Sequence, residues 1–332
     1  MLEHGGRLRA AARRFGIPLT QWLDLSTGIA PHVYPVPPIP SEVWQRLPED
    51  DDELSAVACR CYGASAVLAL PGSQAAIQLL PRLRPPGVVA MLVPSYGEYA
   101  AAWRAAGHEV VHCSAADMPL RAAEVDAMVI GNPNNPDGRR FPRQALLEVA
   151  RQLGARKGLL IVDEAFADAE EAGESLADVA GSAAAKNVVV LRSLGKFFGL
   201  AGARVGFAIA GESILTPLAE ASGPWAIAHP SRLVACAALA DSEWQATQRA
   251  RLQRDGARLQ ELLAASGLGE SGGTVLFRYL ELDDALVLHE FFARRGILLR
   301  YFSGPAAVRF GLPANEVQWQ RLVTALDQWK NQ

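Results

Sequence analysis

The stretch Asn187-Val188-Val189-Val190-Leu191-Arg192-Ser193-Leu194-Gly195-Lys196-Phe197-Phe198-Gly199-Leu200-Ala201-Gly202-Ala203-Arg204-Val205-Gly206 sets one lysine between a β-branched run and a second strand opening at Arg204. Glycine and alanine keep the loop low in bulk, so a flat ligand can approach the amine closely. Apolar surroundings disfavour the ammonium form and help supply the neutral amine that Schiff-base chemistry needs. Arg204 brings a positive charge for a phosphate to the same loop. Taken singly, such a lysine is a surface residue on a strand connection, and it gains meaning only from what the rest of the chain places near it.

Two other motifs touch these chemistries. Ser193-x-x-Lys196 matches the penicillin-binding pattern, but the Ser-Asp-Asn and Lys-Thr-Gly tripeptides that complete that pattern are absent from the sequence. His108-Glu109-Val110-Val111-His112 matches the zinc-protease motif, whose chemistry requires both histidines on one helical face. Here Gly107 closes the preceding helix and Val110-Val111 favours a strand. Glu109 and Val111 then face one side, and His108, Val110 and His112 the other. No metal site is expected.

Half of the 332 residues are hydrophobic, enough for a sizeable buried core in one large domain or two. The net charge of -3 leaves no electrostatic footprint for nucleic acid, so a small-molecule partner is expected. Cys59, Cys61, Cys113 and Cys236 follow neither disulfide-framework nor zinc spacing, which suits free thiols in a reducing, cytoplasmic compartment. No apolar run approaches the roughly 18 residues of a spanning helix, so no membrane partner is expected. The arginine-rich start resembles a transit peptide, but serine is absent before Ser26. An ordered N-terminal helix ending near Gly16 fits better.

Prolines through Pro31-His32-Val33-Tyr34-Pro35-Val36-Pro37-Pro38-Ile39-Pro40 forbid regular helix and predict an extended arm. Glu49-Asp50-Asp51-Asp52-Glu53 opens an alanine-rich helix through Cys61. From about residue 66 apolar strands alternate with helix-length segments: 66–70, 88–93, the His108 strand, 126–130, 158–162 and 187–192. That alternation predicts a mostly parallel sheet covered on both faces. Ligands gather where such strands end. Gly72-Ser73-Gln74, Tyr96, Asn135 and Asp163 all stand at those ends, with Lys196 and Arg204 in the loop quoted first. Past about residue 225 a smaller α+β region is expected, with a helical stretch from Ser231 to about Ala265, strands at 273–280, 297–300 and 307–310, and a closing helix from Glu316.

Three motifs, Asn132-Pro133-Asn134-Asn135-Pro136-Asp137-Gly138, Asp163-Glu164-Ala165-Phe166 and Ser193-Leu194-Gly195-Lys196 with Arg204-Val205-Gly206, occur in the order and spacing of a known family. The chain resembles the pyridoxal-phosphate enzymes of the aspartate-aminotransferase fold, fold type I, in the branch of histidinol-phosphate aminotransferase. Within that branch His4-Gly5-Gly6 and Asp24-Leu25-Ser26-Thr27-Gly28 are most similar to the threonine-phosphate decarboxylases of cobalamin biosynthesis. The resemblance implies a three-layer α/β/α large domain over residues 46–225. It further implies a smaller C-terminal domain over 226–332 and an N-terminal arm over 1–45 that packs on the small domain and a dimer interface.

It also implies roles. Lys196 would carry the cofactor and move protons, Asp163 would pair with the ring nitrogen, Asn135 with the ring hydroxyl, and Tyr96 would stack on the ring. Gly72, Ser73, Gln74, Ser193 and Arg204 would hold the cofactor phosphate. Arg309 would take a substrate carboxylate, while Arg300 and His4-Gly5-Gly6, with Asn135, would meet a phosphorylated amino acid. Three positions depart from the family pattern: Phe166 replaces a tyrosine, Leu47 a tyrosine that reaches the partner subunit, and Ala30 an asparagine. The implied activity is decarboxylation of threonine phosphate by a homodimer, with amino transfer as the alternative. A non-catalytic ligand-sensing role, as in some transcription regulators, lacks the preceding helix-turn-helix.

Overall fold

The computed structural model describes residues 4–170 and 173–331. Contacts divide the chain into two compact units, one of Met1–Val33, Pro136–Arg139 and Ala246–Gln332, the other of Tyr34–Asn135 and Arg140–Gln245. The resemblance implies boundaries at 45 and 225; the contacts put 34–45 and 226–245 in the larger unit and 136–139 in the smaller. The later boundary moves with the helix His229–Ala240, whose Arg232 grips Asp52 through two 2.7 Å hydrogen bonds and reaches Asp50 at 3.1 Å. Asp52 also accepts from the Leu54 amide at 3.0 Å, so the acidic run opens the next helix as expected.

In chain order the strands are β1 (Leu23–Asp24), β2 (Val67–Leu70), β3 (Val88–Leu92), β4 (Glu109–Cys113), β5 (Ala127–Gly131), β6 (Leu159–Asp163) and β7 (Val188–Ser193). There follow β8 (Gly206–Ile209), β9 (Gly272–Thr274), β10 (Phe277–Glu281), β11 (Ile297–Leu298), β12 (Arg300–Ser303) and β13 (Ala306–Gly311). The larger unit holds a seven-stranded sheet in the order β2-β8-β7-β6-β5-β3-β4, parallel except for β8. Every residue of β5, β6 and β7 is buried, which is why these strands read as unbroken apolar runs. On one side Val89, Met91, Val129, Ile161, Val189 and Leu191 pack with Ile77, Tyr99 and Trp103 into a hydrophobic core. The expected mostly parallel α/β sheet is present.

The smaller unit carries the antiparallel sheet β12-β13-β10-β9 and the parallel pair β1-β11. Two expectations change here. The single strand expected over 273–280 is a hairpin, because the chain turns at 275–276, where the Leu276 amide donates to the Thr274 hydroxyl at 3.1 Å. The strand expected over 297–300 divides at Leu299, its first part pairing with β1 and its second with β13. The helix expected from Ser231 to Ala265 is likewise two, His229–Ala240 and Ser242–Ala265. Asp241 interrupts it by accepting from the Trp244 amide at 2.9 Å, as an N-cap side chain does.

Candidate active site

In the larger unit the predicted residues meet at one end of the sheet. Asp163 ends β6, and Ser193 ends β7 opposite Gly206 of β8. The Lys196 amine lies over the Phe166 ring, 5.5 Å from its centroid. Asp163 is buried and oriented from both oxygens: Oδ2 accepts from the Tyr99 hydroxyl at 2.6 Å, and Oδ1 from the Ala165 amide at 2.9 Å. Burial pushes its carboxyl above the ordinary value, against those hydrogen bonds and the Lys196 charge, which pull it down. A carboxylate so placed favours a cationic partner.

The other edge of the cluster is a turn fitted to an anion. A Cβ on Gly206 would sit 2.2 Å from the Ser73 nitrogen, so only glycine lets β8 run against the Gly72-Ser73 turn. Gly72 has φ +79, and a Cβ there would lie 2.7 Å from a guanidinium nitrogen of Arg204. The helix Ser73–Leu79 starts at this turn and directs its first amides there. The Ser193 hydroxyl accepts from the Gly195 amide at 3.3 Å. Gln74 accepts from the Tyr96 hydroxyl at 3.2 Å and donates to Glu98 at 3.2 Å. Burial, with Glu98 and Asp163, pushes the Tyr96 phenol up to about 12, and the Arg204 charge pulls it down. Asn135 lies in the loop that leaves β5, whose last residue pairs with Asp163.

The smaller unit gathers the remaining candidates. Arg300 and Arg309 are direct partners across β12 and β13. Arg309 is buried, 4.7 Å from the Phe277 ring centroid and 5.8 Å from that of Phe302, and donates to the Ser26 carbonyl at 3.4 Å. Burial and the Arg300 charge pull its pKa down to about 10. A Cβ on Gly5 would overlap the Ser26 carbonyl at 2.2 Å, and the Gly6 amide donates to the Ser26 hydroxyl at 2.7 Å. The Gly5-Gly6 backbone therefore packs on the residue that touches Arg309. His4 is exposed beside it.

His108-Glu109-Val110-Val111-His112 runs into strand β4, and its histidines have separate partners. His108 bonds the Pro81 carbonyl at 2.8 Å and accepts from the Gly87 amide at 3.2 Å, while His112 meets Arg104 at 3.2 Å. The strand geometry rules out the helical zinc motif.

Two elements escape the sequence reading. Tyr99, on the helix Gly97–Ala105, belongs to none of the motifs, yet its hydroxyl orients Asp163. Glu164, next to Asp163, belongs to a different structure. It is fully buried and pairs with Arg192 at 2.9 Å, accepts from Ser175 at 2.6 Å and from the Leu176 amide at 2.9 Å. Strand alternation sends neighbours to opposite faces, which is the one signal that separates the two carboxylates.

Residues 50–325 match the family described as aminotransferase class I and II. The chain belongs to that family. It is 50% identical over 326 residues to a threonine-phosphate decarboxylase of Pseudomonas aeruginosa, covering 98% of this chain and 97% of that one. It is 41% identical over 332 residues to a Sinorhizobium enzyme of the same name, again over 98% and 97% of the two chains. Its fold matches histidinol-phosphate aminotransferase from Sinorhizobium meliloti in complex with pyridoxal-5'-phosphate. The TM-score is 0.84 at 18% identity, over 99% of this chain and 95% of that one.

Proposed function

We propose that this family member is a pyridoxal-phosphate-dependent decarboxylase of L-threonine O-3-phosphate, making 1-amino-2-propanol O-phosphate for the cobalamin side chain. The observation that carries this reading is the end-to-end identity of 50% to an enzyme named for that reaction. The residues present fit the cofactor. The bare Gly72 turn admits the Arg204 guanidinium against its backbone, which sets a cation for a phosphate beside the Ser73 amide, and the buried Asp163 suits a protonated ring nitrogen. Bound there, the cofactor supplies an electron sink for the bond that breaks at the substrate's Cα.

Lys196 would hold the group covalently and would return a proton to the substrate's Cα. Asp163, oriented by Tyr99 and Ala165, keeps the proton on the ring nitrogen. Phe166 cannot donate to the ring hydroxyl, which leaves that contact to Asn135. Tyr96 would lie against the ring face, while Ser73, Gln74, Ser193 and Arg204 would hold the phosphate. Arg309 orients the substrate carboxylate, and Arg300 with His4, Gly5 and Gly6 takes the substrate phosphate. Pinning both anionic ends sets the rotation about Cα that aligns the C–COO⁻ bond for cleavage. That bond breaks, carbon dioxide leaves, and a proton takes its place.

Exposed Val36 and Trp44 on the arm and Leu47 just after it support a homodimer contact made by packing. A single-chain mass in sedimentation equilibrium would remove that contact. Incubating the purified protein with cofactor and L-threonine O-3-phosphate tests the reaction. Carbon dioxide and the amine in equal amounts are expected; a stoichiometric 2-oxo acid would make the protein an aminotransferase.

A further inference from the structure

Arg300 and Arg309 sit at directly opposed positions of an antiparallel pair, where like charges repel. Both side chains are long and rotatable, so repulsion alone would splay them and spread their separation over many rotamers. One ring interrupts this. The Arg300 guanidinium lies 4.9 Å from the Phe302 centroid and the Arg309 guanidinium 5.8 Å from it. A ring face carries negative quadrupole charge and attracts each cation within about 6 Å.

The sheet explains how one ring serves both. Phe302 lies two residues beyond Arg300 on β12, so the two share a face. Its own cross-strand partner is Ala307, whose small side chain leaves the ring free to lean toward its diagonal neighbour Arg309. Tyr279 abuts the ring at 5.8 Å with an interplanar angle of 67°, which fixes its tilt. Phe277 holds the far side of Arg309 at 4.7 Å.

We propose that Phe302 is a positioning residue that fixes the spacing of the two guanidinium groups, and thereby the orientation of a substrate carrying a carboxylate and a phosphate. The proposal rests on the assignment of Arg300 and Arg309 as anchors for that substrate. It makes a ring, not a further charge, the element that determines specificity for two anions a fixed distance apart. Leucine at this position fills space but attracts neither cation.

The test uses the holoenzyme with L-threonine O-3-phosphate and four proteins besides wild type: Phe302→Leu, Phe302→Tyr, Arg300→Ala and the Arg300→Ala/Phe302→Leu double variant. Cofactor absorbance is measured first and should be unchanged in all, since none of these positions is assigned to the cofactor. Phe302→Leu should raise KM about tenfold and lower kcat as well, while Phe302→Tyr, which keeps the ring, stays within about twofold of wild type. In the Arg300→Ala background the leucine change should add less than about twofold, because there is no longer a pair to space. If Phe302→Leu fails to load cofactor, Phe302→Met supplies the ringless variant. Wild-type kinetics for the ringless variant, or the same fold-change in both backgrounds, would overturn the role of the ring while leaving the anchors standing. Unchanged kinetics in Arg300→Ala would overturn the anchor assignment beneath it.

Discussion

Arg192 and Arg309 are both buried strand arginines, and their surroundings have opposite sign. Arg192 lies 2.9 Å from Glu164, 2.8 Å from Asp168 and 5.0 Å from the Tyr62 ring centroid. Burial presses its pKa down, but the two carboxylates carry it above the ordinary arginine value. Arg309 lies across from another arginine and between two rings, and burial together with Arg300 draws it down to about 10. Folding alone supplies the counter-charges of Arg192. Burial and the like charge of Arg300 both act against the Arg309 cation, which suits a group that meets an anion.

Replacing each arginine by leucine should therefore give opposite results. Arg192→Leu leaves Glu164 and Asp168 buried without their cation and should lower the unfolding free energy by about 3–5 kcal/mol in denaturant titrations. Arg309→Leu should leave stability equal or higher, while kcat/KM falls on the order of 100-fold. Equal destabilisation by both would erase the distinction.

The contrast sharpens with pH. The folded value of Arg309, about 10, lies below its ordinary value, so between the two the unfolded chain binds more protons and stability rises with pH. Anion binding runs the other way, present below about pH 10 and lost above it. Binding of a simple carboxylate such as propionate to the holoprotein, followed by calorimetry from pH 8 to 11, should weaken through that value in wild type and stay flat in Arg309→Leu.

A smaller effect is expected at the cofactor. Tyr99→Phe removes the 2.6 Å hydrogen bond to Asp163 and should raise the cofactor dissociation constant about tenfold. An unchanged constant would return Tyr99 to the role of a core aromatic.

The sheet was legible because strands buried on both faces leave unbroken runs such as Val188-Val189-Val190-Leu191. The residues at its strand ends were legible for the same reason, since topology gathers those ends at one edge. The turn at 275–276 was not, because Gly273-Thr274-Val275-Leu276-Phe277 is equally apolar as one strand or as two. Tyr99 stayed hidden because its helical position predicts only a buried ring, and the hydroxyl's partner lies 64 residues away. The ring shared by Arg300 and Arg309 depends on cross-strand register, which no local pattern states.

The most direct test of the whole account is where the cofactor attaches. The chain has four lysines, at 157, 186, 196 and 330, and Lys196 shares its surroundings with a buried aspartate and an aromatic ring. Borohydride reduction of the holoprotein followed by peptide mass mapping should place the phosphopyridoxyl adduct on Lys196 and find none in Lys196→Ala. A stoichiometric adduct on Lys157, Lys186 or Lys330 would contradict the account.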